Sequence, residues 1–337
     1  MAELGYDGVE LFRKGRFRPA TFWKSARCRL AAPAAHKDRV LLTSFWVGDS
    51  GTAQAKPWHV LNCHLQAGKE GPRRLRQIQE GAKAAFTAAK SLKEKQPAST
   101  IRLLVCGDFN GDDSSAAVRF LEGSTITPEF LEDGRPVCSS EKRLLLTSPL
   151  LDAAAQPDRP PPPTLVVPEL ISVLLRPGTE DEAEIAEEVE EKLAEIFRER
   201  ANEAGGMNAE AVREWLVAIN GRPDRGSEFR AAARAMGGGP DSGVEGLPEA
   251  GTLSLDAFLG VYRAELRQGK FWGVAHDLAV LGRGVAPRGV FSARFDRVYA
   301  SAAVETVAVV DAVSEVACPN EVEPSDHLPV AAAFVAR

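Results

Sequence analysis

Long apolar runs are missing from this sequence. Nowhere do about 18 apolar residues follow one another, so a membrane-crossing helix is not expected. The opening residues also lack the order of a basic stretch followed by an apolar one, and no secretory leader is expected from them. Cysteine is sparse. The five, Cys28, Cys63, Cys106, Cys138 and Cys318, are odd in number, far apart and free of CxxC spacing, which argues against a disulfide framework or a zinc site. Cys63 and Cys106 lie inside apolar runs and are expected to be buried free thiols of an intracellular protein, cytoplasmic or nuclear. There is no excess of positive charge either: 41 Lys and Arg stand against 47 Asp and Glu, so the chain as a whole does not attract polyanions strongly. The negative excess is local. Residues 180–200 hold ten acidic residues against three basic ones, which leaves the remainder close to neutral. A short basic stretch, Arg73, Arg74 and Arg76, reads either as a phosphate contact or as a solvated helix start.

What is present reads as an α/β domain interrupted by helices. VLLTSFWV (40–47) is rich in β-branched and aromatic residues. WHVLNCHL (58–65) alternates, with Leu61, Cys63 and Leu65 on one face and Trp58, Val60, Asn62 and His64 on the other. A helix is expected from about Arg73 to Lys90, where Leu75, Ile78, Ala82, Ala85, Phe86 and Ala89 recur at helical spacing. The strand IRLLVC (101–106) follows and breaks at Gly107. Strand, helix, strand is the order of a layered α/β domain. PDRPPPP (157–163) reads as a linker. Beyond it the periodicity is helical, in Ile185 to Phe197, in 209–219 and in 253–266, with a glycine-rich loop at 237–246. Strand-like runs return from Val290. The expected organisation is an α/β domain made of 1–156 and 271–337, split by a helical insertion at 157–270.

Four short stretches carry the candidate chemistry: NCHL (62–65), GDFN (107–110), FDRV (295–298) and SDHLP (325–329). Each places Asp, Asn or His at or near a strand end, where side chains from different strands can converge on one cleft. Phosphate ester hydrolysis requires an activated water, a cation on the phosphoryl oxygens, and donors for the added transition-state charge. A scattered set of oxygen ligands suits Mg²⁺ better than zinc.

In this order the four stretches resemble the motif series of the endonuclease/exonuclease/phosphatase superfamily. LGYDGVELF followed by ATFWKSARCRL, and SSAAVRFLEGS after GDFN, are similar to the segments around those motifs in the family. The resemblance implies an α/β (α+β) fold, the DNase I-like four-layer sandwich of two β-sheets flanked by helices, with a helical EF-hand-like insertion. It implies a Mg²⁺-dependent phosphoesterase, with Mn²⁺ as the substitute ion. By the resemblance, Asp326 is a metal-proximal carboxylate and Asp108 orients or deprotonates the attacking water. Asn110 positions that water and the phosphate. His327 contacts the scissile phosphate, Asp296 orients its imidazole, and His64 adds a phosphate contact. Asn62, Arg73 and Arg74 are the expected substrate-binding residues. Within the superfamily the resemblance implies a nuclease, a CCR4-like RNase acting on single-stranded RNA. One alternative is a phosphoinositide phosphatase or sphingomyelinase-type phosphodiesterase. The other is a catalytically dead interaction protein that docks a protein partner on the insertion.

Two departures from the family pattern follow. The family's characteristic glutamate ligand lies on an early strand, upstream of the Gly-Tyr stretch that here begins at Gly5, so this chain is expected to be N-terminally incomplete relative to the family. The insertion resembles a degenerate EF-hand pair, as in a plant and algal branch of the superfamily. With Gly206 at the sixth loop position, positions 1, 3, 5 and 12 are Ala201, Glu203, Gly205 and Val212. Aligned on Gly251 they are Gly246, Pro248, Ala250 and Ala257. Neither set can cage Ca²⁺, and calcium binding is not expected.

Overall fold

The computed structural model describes residues 1–10, 19–48, 57–92, 101–144, 148–155, 160–179, 182–224, 226–238, 246–310, 314, 316–320 and 325–337. Most of the glycine-rich loop (239–245) and the start of the proline-rich linker (157–159) lie outside these residues. The chain divides into two compact units, Met1–Val167 with Phe291–Arg337, and Pro168–Val290. Both edges of the insertion therefore differ from the sequence-based expectation: residues 160–167 pack with the α/β unit, and residues 271–290 with the helices.

The α/β unit begins with β1 (Tyr6–Glu10), β2 (Ala20–Lys24), β3 (Cys28–Lys37), β4 (Val40–Val47), β5 (Trp58–His64) and helix α1 (Gly71–Ser91). It continues with β6 (Arg102–Asp108), α2 (Ala116–Leu121), β7 (Leu131–Glu132), β8 (Arg135–Pro136), β9 (Leu151–Asp152) and β10 (Leu165–Pro168). The second unit holds α3 (Ile171–Leu174), α4 (Glu187–Arg198), β11 (Met207–Asn208), α5 (Ala209–Asn220), α6 (Gly226–Ala235), β12 (Thr252–Leu253), α7 (Leu255–Arg267) and α8 (Phe271–Val280). The chain then returns through β13 (Val290–Ala293), β14 (Asp296–Ala300), β15 (Val304–Val310) and β16 (Ala331–Ala336).

One six-stranded sheet organises the α/β unit, in the order β3-β4-β5-β6-β14-β9. β5 and β6 run parallel with α1 as their crossover, and β14 pairs antiparallel with β6. The alternation of β5 decides which face is which. Leu61 and Cys63 are buried with Val40 and Leu42 of β4, Leu103 and Val105 of β6, and the apolar stripe of α1, Leu75, Ile78, Ala82, Ala85 and Phe86. Each such leucine, isoleucine or phenylalanine contributes about 1.5–3 kcal/mol by leaving water. The opposite face carries Asn62, His64, Cys106 and Asp108, all half-buried, and β2 lies over part of it through Trp23 against Phe45 at 5.0 Å. Four two-stranded pairs, β1-β2, β7-β8, β10-β13 and β15-β16, accompany it in this mixed α/β fold.

Glu132, on the β7-β8 hairpin, joins the starts of α1 and α2. Its Oε2 accepts from the Ala116 amide at 2.7 Å and its Oε1 from Arg74 Nη2 at 2.5 Å. This satisfies an N–H that α2 would otherwise leave unpaired and places negative charge at a positive helix end.

The helical unit closes around Trp215, Phe258 and Tyr262, all fully buried, with Phe197 and Leu216 beside them. The indole Nε1 of Trp215 donates to the Tyr262 hydroxyl at 3.1 Å, so the polar tips inside the core pair with each other. Two helix-loop-helix pieces, α4-α5 and α6-α7, are joined by the antiparallel bridge Met207↔Leu253 and Asn208↔Thr252. Asn208 and Ser254 cap the helices that follow, accepting from Ala211 N at 2.9 Å and Ala257 N at 3.2 Å. In the first loop Gly205 has φ 81°, and Asn202 Oδ1 accepts from Ala204 N and Gly206 N. The central glycine of this loop is thus Gly205, one residue before the Gly206 expected from sequence. Counted from Gly205, positions 1, 3, 5 and 12 become Arg200, Asn202, Ala204 and Ala211, still no cage for Ca²⁺. Among the described residues no helix is long and apolar enough to cross a membrane.

Candidate active site

Strand register assembles the site. The parallel pairing of β5 and β6 sets His64 beside Asp108, and the antiparallel pairing of β6 and β14 sets Asp108 beside Asp296. Three neighbouring strands thus bring His64, Asp108 and Asp296 into one row, spaced by the sheet's own 4.7–4.9 Å repeat. Gly107 makes this possible. Its φ is 125°, and a Cβ there would sit 2.0 Å from the Cys63 carbonyl oxygen, so only glycine lets β5 and β6 close at this end.

Downstream of Asp108 the chain turns sharply. Phe109 is buried edge-on to Tyr299, 5.7 Å between ring centres, and its amide donates to Phe295 O at 2.8 Å. Asn110 takes the left-handed conformation, φ 49°, which asparagine tolerates better than most residues. Its amide N donates to Asp108 Oδ1 at 2.7 Å, and its Nδ2 to Asp108 Oδ2 at 2.6 Å and Leu65 O at 3.1 Å. Both oxygens of Asp108 are therefore oriented by Asn110.

His327 arrives from the other side. The segment 325–328 lies along β10: Leu165 bridges to His327, Val166 N donates to Asp326 O, and Leu328 N donates to Thr164 O at 2.6 Å. Leu328 is buried with Val166 and Cys318. The imidazole then meets β14, with Nδ1 2.6 Å from Asp296 Oδ2. Asp108, Asp296 and His327 each offer a ligand atom, all within 4.8 Å of one another. The electrostatics match the geometry. Burial, then the neighbouring Asp296, pushes Asp108 up to about 6. The hydrogen bond to Asp296 outweighs burial and raises His327 to about 9, so at neutral pH the imidazole is a cation between carboxylates.

The remaining expected residues divide. His64 Nε2 lies 3.6 Å from Asp108 Oδ2, with 44% of its side chain exposed. Asp326 is exposed beside His327, outside the group of three. Asn62 donates to Ala20 O at 2.8 Å and so tethers β2 to the sheet. Arg73 pairs with Asp38 at 3.5 Å. Arg74, expected to meet phosphate, is 3% exposed and is held by Glu132 and the carbonyls of Gln66 and Gly68. Helical phase turns it inward, and the carboxylate of Glu132 occupies its guanidinium.

Sequence reasoning passed over Thr164. Its hydroxyl accepts from Phe295 N at 3.1 Å and Asp296 N at 2.9 Å. It directly follows the proline run, where the pattern reads as linker, and only its place before the apolar LVV marks it as the start of a strand.

Chemically, two carboxylates and an imidazolium on one face can hold a hard cation on oxygen and present one N–H to an anion. The donor set fits Mg²⁺, which takes one or two protein carboxylates and completes its shell with water and substrate oxygens.

No family model matches this chain, and no curated protein matches it. Among solved structures it is similar to the human Nocturnin catalytic domain with bound sulfate, at 18% identity and TM-score 0.28, over 42% of this chain and 60% of that one. It is similar to ANGEL2, a 2',3'-cyclic phosphatase, in complex with adenosine-2',3'-vanadate, at 15% identity and TM-score 0.44, over 99% of this chain and 75% of that one. A mannosyl-6-phosphatase of Bacteroides thetaiotaomicron aligns at 15% identity and TM-score 0.24, over 39% and 61%. The chain spans about 60% of the length of the Nocturnin domain. A fourth similar structure is an endonuclease/exonuclease/phosphatase family protein of the same bacterium, at 15% identity and TM-score 0.24, over 40% and 60%. NCHL, GDFN and FDRV meet at the ends of the neighbouring strands β5, β6 and β14, and SDHLP joins them from the segment bridged to β10.

Proposed function

We propose that this chain is the catalytic portion of a Mg²⁺-dependent phosphoesterase of the endonuclease/exonuclease/phosphatase superfamily, acting on a phosphodiester such as single-stranded RNA. One observation carries the reading: the Asp296–His327 pair, bonded at 2.6 Å, sits beside the Asn110-oriented carboxylate of Asp108. His327, charged by Asp296, donates to a phosphoryl oxygen and follows it as charge builds in the transition state. Asp108, held at both oxygens, orients the attacking water and takes its proton. His64 adds a donor to the same phosphate from the neighbouring strand. Asp108 and Asp296, the two carboxylates of the converging group, would hold the cation, and Asp326, exposed next to His327 in sequence, is the metal-proximal carboxylate that the motif resemblance implies. Mg²⁺, when bound, neutralises phosphoryl oxygens and polarises the ester.

The choice of RNA rests on the resemblance of the motif series alone, since Arg74 is buried on Glu132 and Arg73 is paired with Asp38. The test is hydrolysis of single-stranded RNA, DNA, a phosphoinositide and sphingomyelin, with Mg²⁺, with Mn²⁺ and with chelator. The expected result is Mg²⁺-dependent RNA cleavage that drops about 10³-fold in His327→Ala. Cleavage of the lipid substrates alone would replace the nuclease reading. Activity indifferent to His327→Ala would overturn the site.

A further inference from the structure

We propose that Thr164 is the positioning residue of the Asp296–His327 pair, fixing both partners from one point. This rests on the phosphoesterase reading only for its catalytic consequence. Asp296 and His327 come from separate segments, the first on β14 and the second bridged to β10, and among the described residues no strand pairing joins β14 to β10. Thr164 touches both segments. Its hydroxyl accepts from the amides of Phe295 and Asp296, at 3.1 and 2.9 Å, just where β14 begins. Its carbonyl accepts from Leu328 N at 2.6 Å, the residue after His327, and its own amide donates to Ala293 O at 2.9 Å.

The residue is 5% exposed, so these are contacts from which water is largely excluded and each amide depends on its partner. The far side of the 295–296 peptide is fixed as well, since Phe295 O accepts from Phe109 N at 2.8 Å. The backbone under Asp296 is therefore clamped between the GDFN turn and Thr164. A cavity of 20 Å³ lies against the same residues, lined by Thr164, Arg294, Asp296 and Pro329. It has room for about one water.

Threonine suits this place because one oxygen accepts two N–H groups while the methyl group packs. Valine keeps the shape and removes the acceptor. Serine keeps the acceptor.

The test uses the full chain, ¹⁵N-labelled, with Thr164→Val, Thr164→Ala and Thr164→Ser. At low temperature the proton between His327 Nδ1 and Asp296 is expected as a slowly exchanging, downfield imidazole resonance. Thr164→Val and Thr164→Ala lose it, and Thr164→Ser retains it. On bis(p-nitrophenyl) phosphate with Mg²⁺, kcat falls about 10–100-fold in the valine and alanine variants, the cost of a misplaced group, while KM changes little. If thermal stability falls but resonance and kcat persist, Thr164 is merely structural and the proposal is overturned. If the resonance behaves as stated but no variant hydrolyses any phosphate ester, the positioning role stands and the phosphoesterase reading fails. Absence of the resonance in the unmodified chain overturns the pairing itself.

Discussion

The α/β unit gathers Asp108, Asp296 and His327 without a contiguous motif, and the helical unit pairs two helix-loop-helix pieces whose loops gather no such set. In the first, Asp108, Asp296 and His327 come from distant parts of the chain and meet within 4.8 Å, the two carboxylates through the register of β6 and β14 and the imidazole from the segment bridged to β10. In the second, two helix-loop-helix pieces are bridged at matched positions and capped alike by Asn208 and Ser254. Alanine, arginine and proline nevertheless stand where a cation would need oxygens. Backbone architecture and site chemistry are thus separable: hydrogen bonds and apolar packing maintain the loop pair, and a handful of side chains decides whether a loop binds anything.

Glycine substitutions test the contrast most severely. In the α/β unit Gly107→Ala is expected to cost about 3–5 kcal/mol, from backbone strain and collision with the Cys63 carbonyl. In the helical unit Gly205→Ala, with nothing within 4 Å of the added carbon, is expected to cost only about 1–2 kcal/mol for its left-handed φ. Urea denaturation of both variants measures the difference, and equal losses would break the contrast.

Protonation sharpens it next. Asp277 on α8 is buried close to Glu228 of α6 and Glu265 of α7, with His276 beside it, and desolvation leads the causes that push it up to about 7. Glu265 is matched by Lys270 at 2.6 Å and by Ser227. Because the folded state holds the Asp277 proton more tightly than the unfolded chain does, its contribution is fully present below pH 4. It declines as pH rises from about 4 to about 7. Hydrogen exchange of the α7 and α8 amides is expected to quicken across that window, and Asp277→Asn to remove the slope. A flat response in the unmodified chain would show that the buried carboxylate is matched by other charges.

The smallest expected effect is none. Calcium at micromolar to millimolar concentration leaves tryptophan fluorescence and the thermal midpoint unchanged, because Arg200, Ala204 and Ala211 supply no oxygens. A clear shift would mean that the loops bind after all.

Much of this was legible in the sequence. β4 spans Val40–Val47, the stretch read as a strand, and Leu61, Cys63 and Leu65 are buried on one face as the alternation required. Trp215, Leu216, Phe258 and Tyr262, expected in the helical core, are all at 0% exposure. Local periodicity reports such features well because burial imposes it. Arg74 was read as facing outward, since a charge in a helix's first turn usually faces water, and the distant Glu132 with the carbonyls of Gln66 and Gly68 makes its burial tolerable. The one-residue offset from Gly206 to Gly205 arose because adjacent glycines look alike until φ is known. Thr164 was lost to the prolines before it. The insertion boundary slipped because α8 is helical but unmarked by any linker.

The place of β14 in the sheet has a consequence for synthesis. β6 lies between β5 and β14, so when β6 leaves the ribosome one edge finds β5 and the other has no partner. The helical unit, rich in local contacts, is made in the interval and is free to fold first. At ordinary translation rates the stretch from Asp108 to Asp296 takes roughly 10–40 s to emerge. Through that time the nascent chain carries Asp108 on an open strand edge, the kind of surface that recruits foreign strands and chaperones. Its second carboxylate and its imidazole do not yet exist, so whatever chemistry the finished site performs is withheld from the ribosome-bound chain.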